Sequence, residues 1–405
     1  MPPGYLKNAD IARRYNVSTA TVSRWFRLAQ ENKYDIELIQ ESDKVYATDN
    51  EHNHEVFTQL TNQGIKYKTA EILNSVEPGK DFYTNFTDEE VYKIYQDLTN
   101  KRIDHNLTFH GIGAKEWDDY ITKGLSTKKY TIAVTVQELL NESMSVLVRH
   151  LKDSGRSLNI VDTSPTDYPL SNTLIEQLVQ NNIPLNGYYL VNSSQEMLNI
   201  VEKSIGIKDS LKINPYKHNL SLQPMRSILL DLYNQHPDSI NLVINLGNEL
   251  GNFDTPYSGL EGIVKSILPE DLFLFTYGTG KFNVNTHRKY LRRDRFFRTL
   301  QHEWILKSLG CDVEACEVVV ETTDTEKYIY MIMDKEYQIS LKINNRTYTA
   351  PLRQGEKVEI LRYHLRSLPS IMDEINQHNP QLGLRYFNSS PDSTTLDALF
   401  LLGKN

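Results

Sequence analysis

Cysteine is scarce in this sequence: its 405 residues include only Cys311 and Cys316. Two thiols are too few for a disulfide framework or a cysteine-based zinc site, and they indicate reduced side chains of the cytosol. Long apolar runs are missing too, since nowhere do about 18 apolar residues follow one another. The first residues, MPPGYLKN, lack the apolar stretch of a signal peptide. We therefore expect a cytoplasmic protein that does not span a membrane.

Positive charge is not in excess either. The chain has 44 Lys and Arg against 52 Asp and Glu, a net charge of −8, which argues against a uniformly basic coat for nucleic acid. The N-terminus differs, because residues 1–34 contain six Lys or Arg and two acidic residues, a local net charge of +4. Any contact with DNA is therefore expected at this end of a chain long enough for about two or three domains.

The segment NADIARRYNVSTATVSRWF near the N-terminus predicts a helix-turn-helix. Ile11, Ala12 and Tyr15 share one face of a first helix. Asn16 tolerates the left-handed backbone of a turn, and Ser18 can cap a second helix by accepting a backbone N–H. Small hydroxyl residues and arginines on the outer face of that second helix suit the major groove of DNA. The predicted DNA-contacting residues of this helix are Thr19, Thr21, Ser23, Arg24 and Arg27.

A predicted hairpin and a third helix follow. DIELIQESDKVYATD places two β-rich runs around the turn ESDK, with Lys44 beside the DNA backbone. EHNHEVFTQLTNQG predicts an amphipathic helix that ends at Gly64, on which His52 and His54 are expected to be solvated. The arrangement resembles the winged-helix headpieces of the MerR and excisionase group. Residues 1–64 are therefore interpreted as a winged helix-turn-helix domain that binds duplex DNA as a homodimer on two half-sites; the alternative is a plain helical hairpin used for packing or protein contact.

Residues 65–104 are predicted to form a linker and a helix. The sequence EPGKD favours a turn, and Thr87 with Glu90 three residues later has the pattern of a capping box. The helix either leads into the next domain or mediates dimerisation, and the sequence does not separate these alternatives.

From about residue 105 the chain alternates between strand and helix patterns. The apolar runs SLNIVD, GYYLVN, INLVIN and EDLFLF indicate a parallel, doubly wound α/β sheet. In such folds the ligand lies at the C-terminal ends of the strands, so the loops DTSPTDYP, VNSSQEM and GNELGNF are expected to share one rim. Strand-like runs at about 312–365 predict a smaller β-rich subdomain over the cleft.

Four short motifs occur in order along this large segment. They are GAKEWDDYI at 113–121, LGNELGNF at 246–253, GEKVEI at 355–360 and TTLDALFLLG near the C-terminus. With these motifs the segment resembles the histidine-specific methyltransferase family, the S-adenosylmethionine-dependent enzymes of the ergothioneine pathway. The resemblance implies a Rossmann-like methyltransferase fold over residues 105–405, with S-adenosylmethionine as the cofactor.

The cofactor loops depart from the pattern of that family. Ser164 and Thr166 stand where the family has glycines that let the backbone approach the cofactor closely. Asn192 stands where the family has an acid for the ribose hydroxyls, so a charge-assisted hydrogen bond is lost. Tyr277 stands at the end of the fourth strand, where the family usually has an aspartate. The cofactor-binding residues that the resemblance implies are Asp162, Ser164, Asn192 and Gly247.

The resemblance also implies substrate-binding residues. Asn252 matches the asparagine that binds the substrate carboxylate, and Glu359 matches the glutamate that holds the imidazole and ammonium. Leu361 replaces a hydroxyl residue of the family, and the counterpart of its carboxylate-binding tyrosine is either Tyr290 or His287. Losing hydrogen-bonding partners in a buried polar site lowers discrimination steeply.

The sequence thus predicts a DNA-binding transcriptional regulator with a degenerate methyltransferase-like domain that serves as a sensor of a small ligand or as a scaffold. We expect S-adenosylmethionine to bind very weakly or not at all, with Tyr168 and Tyr277 partly filling the cleft, and we expect no metal site. The alternative is an active N-methyltransferase acting on histidine or a related amine. The basic segment 287–304 either binds nucleic acid or an acidic partner, or is a solvated helix face.

Overall fold

The computed structural model divides into two units, Met1–Asn74 and Ser75–Asn405. It describes residues 4–31, 34–41, 44–70, 74–127, 131–153, 155–206, 211–220, 222–253, 258–281, 300–390 and 396–404.

The first unit contains three helices and a small antiparallel sheet. Asn16 has a φ of 51°, in the left-handed region that the turn requires, and Ser18 caps the second helix by accepting the backbone N–H of Thr21 at 3.1 Å. The indole of Trp25 stacks on Phe57 of the third helix, and both are buried. The elements are β1 (Tyr5–Leu6), α1 (Asn8–Arg14), α2 (Thr19–Gln30), β2 (Leu38–Glu41), β3 (Lys44–Thr48) and α3 (Glu51–Ala70), with sheet order β1-β3-β2.

The third helix is longer than the sequence indicates. It was expected to end at Gly64, but α3 continues to Ala70. A glycine inside a helix costs only about 1 kcal/mol relative to alanine. Gly64 alone is therefore too weak a signal to end a helix.

The second unit is built on a seven-stranded sheet with helices on both faces. Helices α7, α8 and α9 cover one face, where Leu140, Leu174 and Leu198 belong to the same apolar core. The helices among its described residues are α4 (Lys80–Asn85), α5 (Asp88–Thr99), α6 (Ile112–Ser126), α7 (Thr131–Asp153), α8 (Tyr168–Gln180), α9 (Gln195–Ser204), α10 (Arg226–Gln235), α11 (Ser258–Val264), α12 (Leu300–Ser308) and α13 (Leu368–His378). Helices α10, α11 and α13 cover the other face, where Leu229, Ile263 and Ile371 share a second core.

The order of the sheet is β15-β16-β9-β8-β5-β6-β7. Its strands are β5 (Ser157–Asp162), β6 (Leu185–Asn192), β7 (Ile213–Lys217), β8 (Ser239–Asn245), β9 (Leu272–Thr279), β15 (Leu382–Ser389) and β16 (Leu396–Lys404). Neighbours from β7 to β9 run parallel, whereas β16 is antiparallel to both β9 and β15. The chain order reverses between β5 and β8, and this switch point is where doubly wound sheets bind ligands.

A β-rich part of the second unit packs around its own core. It has two three-stranded sheets with orders β10-β11-β14 and β13-β12-β4. The strands are β4 (Asn74–Val76), β10 (Glu317–Thr322), β11 (Glu326–Ile332), β12 (Tyr337–Ile343), β13 (Arg346–Leu352) and β14 (Lys357–His364). Helix α5 has the predicted capping box of Thr87 and Glu90, and its Ile94 and Leu98 are buried in this core. The helix predicted within residues 65–104 therefore packs its apolar face into this core.

Candidate functional site

The exposed face of α2 in the first unit carries the residues predicted to contact DNA. The hydroxyl of Ser23 donates to the carbonyl of Thr19 and accepts from the Asn8 amide, both at 2.9 Å. The hydroxyl of Thr21 lies 2.8 Å from that of Ser18. Within the part of the chain that the structure describes, these two hydroxyls are bound internally, whereas the exposed side chains of Thr19, Arg24 and Arg27 have no such partner.

The hairpin and the third helix provide the neighbouring surface. Lys44 is exposed at the start of β3, opposite Glu41, and the turn residues 42–43 lie outside the described residues. His54 was expected to be solvated, but its Nε2 lies 2.7 Å from Asp49 and its Nδ1 lies 2.5 Å from the hydroxyl of Tyr15. This histidine therefore ties α3 to the rest of the first unit.

Asp162 ends the first strand of the large sheet and is fully buried. Its carboxylate accepts the backbone N–H of Ser164 at 2.9 Å, the hydroxyl of Ser171 at 2.6 Å and the hydroxyl of Tyr188 at 2.5 Å. Burial raises the pKa of the carboxyl group. The contacts to Ser171 and Tyr188 could not be inferred from the sequence, and they assign Asp162 to the internal support of the loop.

Ser164 joins the loops after two neighbouring strands. Its hydroxyl donates to the carbonyl of Leu246 at 2.9 Å and accepts the backbone N–H of the same residue at 2.7 Å. Ser164 thus links residues 162–168 to residues 246–252, here called the first and second rim loops.

Three further contacts close the first rim loop. The hydroxyl of Thr166 donates to Glu249 at 3.2 Å, and the carbonyl of Thr166 accepts the indole N–H of Trp117 at 3.0 Å. The phenol of Tyr168 donates to Asp118 at 2.9 Å. Two of these partners come from α6, which therefore lies against the loop.

Two acidic side chains lie at the second rim loop: Glu249 belongs to it, and Asp167 approaches it from the first rim loop. Gly247 has a φ of 89°, and a Cβ there would lie 1.9 Å from the Asp167 carboxylate, so any other residue would strain the backbone and force the Asp167 side chain to move. Burial, assisted by the charge of Asp167, raises the pKa of Glu249 to about 8. Glu249 is therefore mainly protonated at neutral pH, and an uncharged acid occupies this part of the rim.

The loop after the second parallel strand uses its own amide group. The side-chain oxygen of Asn192 accepts the backbone N–H of Ser194 at 2.8 Å. Ser194 in turn caps α9 by accepting the N–H of Met197 at 3.1 Å. The oxygen that would have to meet ribose hydroxyls is thus bound within the chain.

Tyr277, expected to fill the cleft, is fully buried in the core between the sheet and α10, α11 and α13. Tyr363 from β14 lies beside it at the rim, because a Cβ on Gly278 would be 2.4 Å from the Tyr363 hydroxyl. The backbone N–H of Arg366 also donates to the carbonyl of Gly278 at 3.1 Å. The β-rich part of the unit is therefore attached to the rim at the end of β9.

The predicted substrate residues Asn252 and Glu359 share no hydrogen bond among the residues that the structure describes. Glu359 is bound by both ends of the Arg362 guanidinium, at 2.9 and 2.8 Å. Asn252 is half-buried. Tyr290 and His287 lie outside the described residues, as does most of the basic segment 287–304.

The pairing of Glu359 with Arg362 depends on a bulge. On a regular strand, residues three positions apart face opposite sides. The register of β14 against β11 shifts beside Glu359, so that Tyr330 pairs with Glu359 while Ile329 pairs with Leu361. An extra residue of this kind re-aims the side chains that follow it, and the sequence gives no direct signal for it.

No group of His, Cys, Asp or Glu suited to a metal ion is found within the described ranges. Over the same residues, none of the helices combines the length and the apolar character needed to cross a membrane.

The sheet order, with five parallel strands followed by an antiparallel pair, is consistent with the Rossmann-like methyltransferase fold that the sequence predicts. The histidine-specific type and the winged-helix headpiece stay predictions.

No family model matches the sequence, and no curated protein matches it. Solved structures do resemble it at a distance. An S-adenosylmethionine-dependent methyltransferase from Clostridium acetobutylicum is 10% identical with a TM-score of 0.31, over 78% of this chain and 98% of that chain. Magnesium protoporphyrin IX methyltransferase from Synechocystis is 7% identical with a TM-score of 0.35, over 74% and 97%. LepI in complex with SAM is 10% identical with a TM-score of 0.32, over 100% and 82%. Likenesses this distant say nothing about the activity of this chain.

Proposed function

We propose that this protein is a DNA-binding regulator whose second unit is a methyltransferase-like domain that senses a small ligand or acts as a scaffold, without methyl transfer. The observation that carries the proposal is the internal satisfaction of the rim loops. Polar side chains of these loops form hydrogen bonds with other parts of the chain, as in Ser164, Thr166 and Asn192.

A cofactor loop works by offering backbone and side-chain groups to its ligand. In this chain the Ser164 hydroxyl joins the two rim loops, and the protonated carboxyl group of Glu249 accepts the hydroxyl of Thr166. To admit the amino-acid tail of S-adenosylmethionine, these hydrogen bonds would have to break, and each buried group left unpaired costs about 1–3 kcal/mol. The residues present therefore do not fit the cofactor well.

The DNA-binding part of the proposal is supported by α2. Thr19, Arg24 and Arg27 lie on one exposed face, and the two arginines have no ion pair among the described residues. Unpaired arginines can form bidentate contacts with guanine edges or with phosphates. A single small module buries little surface, so useful specificity requires two copies on two half-sites.

Calorimetry tests the ligand part of the proposal. We expect no measurable heat of binding when S-adenosylmethionine or S-adenosylhomocysteine is titrated into the full chain at micromolar concentration. Micromolar affinity together with methylation of histidine or a related amine, detected by mass spectrometry, would establish the enzyme and refute the proposal.

Capture of genomic DNA fragments tests the regulatory part. The full chain should enrich a subset of fragments, and the double variant Arg24→Ala/Arg27→Ala should not. Arg346→Ala/Arg353→Ala is the matched control, because both exposed arginines lie in the other unit and their loss also removes two positive charges. Equal enrichment by wild type and double variant would rule out α2 as the reading element.

A further inference from the structure

A serine and a histidine from distant parts of the chain share a hydrogen bond at the end of the second parallel strand. Nε2 of His110 lies 3.1 Å from the hydroxyl oxygen of Ser193. The two residues are 83 positions apart, and both are buried, with exposures of 2% and 7%. The proposed function uses neither of them.

The second nitrogen of the histidine determines the direction of that hydrogen bond. Nδ1 of His110 lies 3.0 Å from the carbonyl oxygen of Asn85. A carbonyl oxygen only accepts, so Nδ1 carries the hydrogen, and in the neutral ring Nε2 is the acceptor. The Ser193 hydroxyl therefore donates to Nε2. This is the contact between a nucleophile and its base, with a third group that orients the base.

The surroundings keep the imidazole neutral and fixed. Burial is the largest influence on His110 and lowers its pKa, so the ring is unprotonated at neutral pH. The ring of Phe86 lies 4.7 Å from the imidazole ring, centroid to centroid. A neutral imidazole in a fixed orientation is the form that can accept a proton from a hydroxyl.

Ser193 lies next to the N-terminus of a helix. The residue stands between the end of β6 and the ten-residue helix α9, which starts at Gln195. The N–H of Met197 is capped by Ser194, whereas the N–H groups of Gln195 and Glu196 belong to the first turn and have no acceptor within the helix. Donors of this kind stabilise a developing oxyanion.

We propose that Ser193 is an activated nucleophile with His110 as its general base, and that the pair reacts with small acyl esters. The proposal does not depend on the proposed regulatory function. Of the two members, Ser193 is the more exposed, as expected for the one that meets the substrate.

The reaction balances with water as the second reactant. The Ser193 oxygen forms a bond to the carbonyl carbon of the ester while its proton moves to Nε2 of His110. The bond to the leaving oxygen then breaks, and that oxygen takes the proton from the imidazole. Water repeats the two steps on the acyl-serine, which releases a carboxylic acid and restores the hydroxyl.

A small alkyl fluorophosphonate tests the pair in the full-length protein. The serine oxygen bonds to phosphorus and fluoride leaves, so the adduct is stable and is located by peptide mass spectrometry. We expect one adduct per chain, on Ser193. Ser367 is the internal comparison, because it also precedes a helix but has no histidine partner among the described residues, where its hydroxyl accepts the N–H of Ser370; it should remain unlabelled.

The variant His110→Gln completes the test. A general base contributes at least about 100-fold, so His110→Gln should slow the labelling of Ser193 by that factor while thermal melting shows that the chain is folded. The absence of an adduct on Ser193 in the folded wild-type protein would overturn the proposal. Labelling of Ser193 at the wild-type rate in His110→Gln would overturn it equally, since the histidine would then not act as the base.

Discussion

The protonated carboxyl group of Glu249 makes the stability of the second unit depend on pH. Its pKa is about 8 in the folded chain against an ordinary value of 4.5, so the folded state holds a proton that the unfolded state releases above pH 4.5. A folded state that binds more protons loses stability as pH rises. The loss begins above the unfolded pKa and continues until the folded pKa near 8 is passed.

The size of this effect follows from the linkage relation. Between the two pKa values one such group changes the free energy of unfolding by about 1.4 kcal/mol per pH unit. From pH 6 to pH 8 the loss amounts to about 2 kcal/mol, since ionisation in the folded state begins to limit it near pH 8. Glu249→Gln removes the titration while keeping an oxygen that can accept from Thr166.

Urea unfolding followed by circular dichroism at pH 6, 7 and 8 measures the difference. We expect the free energy of unfolding to fall less steeply in Glu249→Gln than in the wild-type chain, by about 2 kcal/mol over this range. Glu314→Gln is the control, because that side chain is 81% exposed and should leave the pH dependence unchanged. Identical pH dependence in wild type and Glu249→Gln would refute the reasoning.

Two further predictions concern the rim and the helix α2. Ser164→Ala should destabilise the second unit by about 1–3 kcal/mol, because the buried N–H and carbonyl of Leu246 lose their partner; an unchanged urea midpoint would contradict this. Arg24→Ala should relax the sequence preference of DNA binding, whereas Arg27→Ala should weaken binding to all sequences and reduce the salt slope by about 1. Binding curves for two DNA sequences at several salt concentrations separate these effects, and identical behaviour of the two variants would contradict the assignment.

Much of the secondary structure could be predicted because its causes are local. The left-handed Asn16, the cap at Ser18 and the capping box of Thr87 and Glu90 depend on residues within four positions of one another. Apolar runs likewise indicated the parallel strands β5, β6, β8 and β9. Strand β7 was not anticipated, since INPYK carries a proline and alternates weakly.

The candidate site could be predicted only in part, because its chemistry depends on tertiary pairing. The sequence placed Asp162, Ser164 and Asn192 on one rim, but it could not show that each is bound by the chain itself. The partner of His110 lies 83 residues away, and the pairing of Glu359 with Arg362 requires the bulge in β14. Hydrophobic periodicity predicts which face of a helix or strand is buried, but it does not predict which side chains meet in the folded chain. These contacts therefore had no signal in the sequence.

The single hydroxyl of Ser164 also has a mechanical consequence. Because it both donates to and accepts from Leu246, the first and second rim loops cannot separate without breaking two hydrogen bonds of the same oxygen. A molecule that displaces either loop therefore displaces the other. The displacement also reaches α6 through the hydrogen bond of Trp117 and α8 through the hydrogen bond of Ser171. The two rim loops therefore move together, so a ligand that displaces the loop after β5 also displaces the loop after β8.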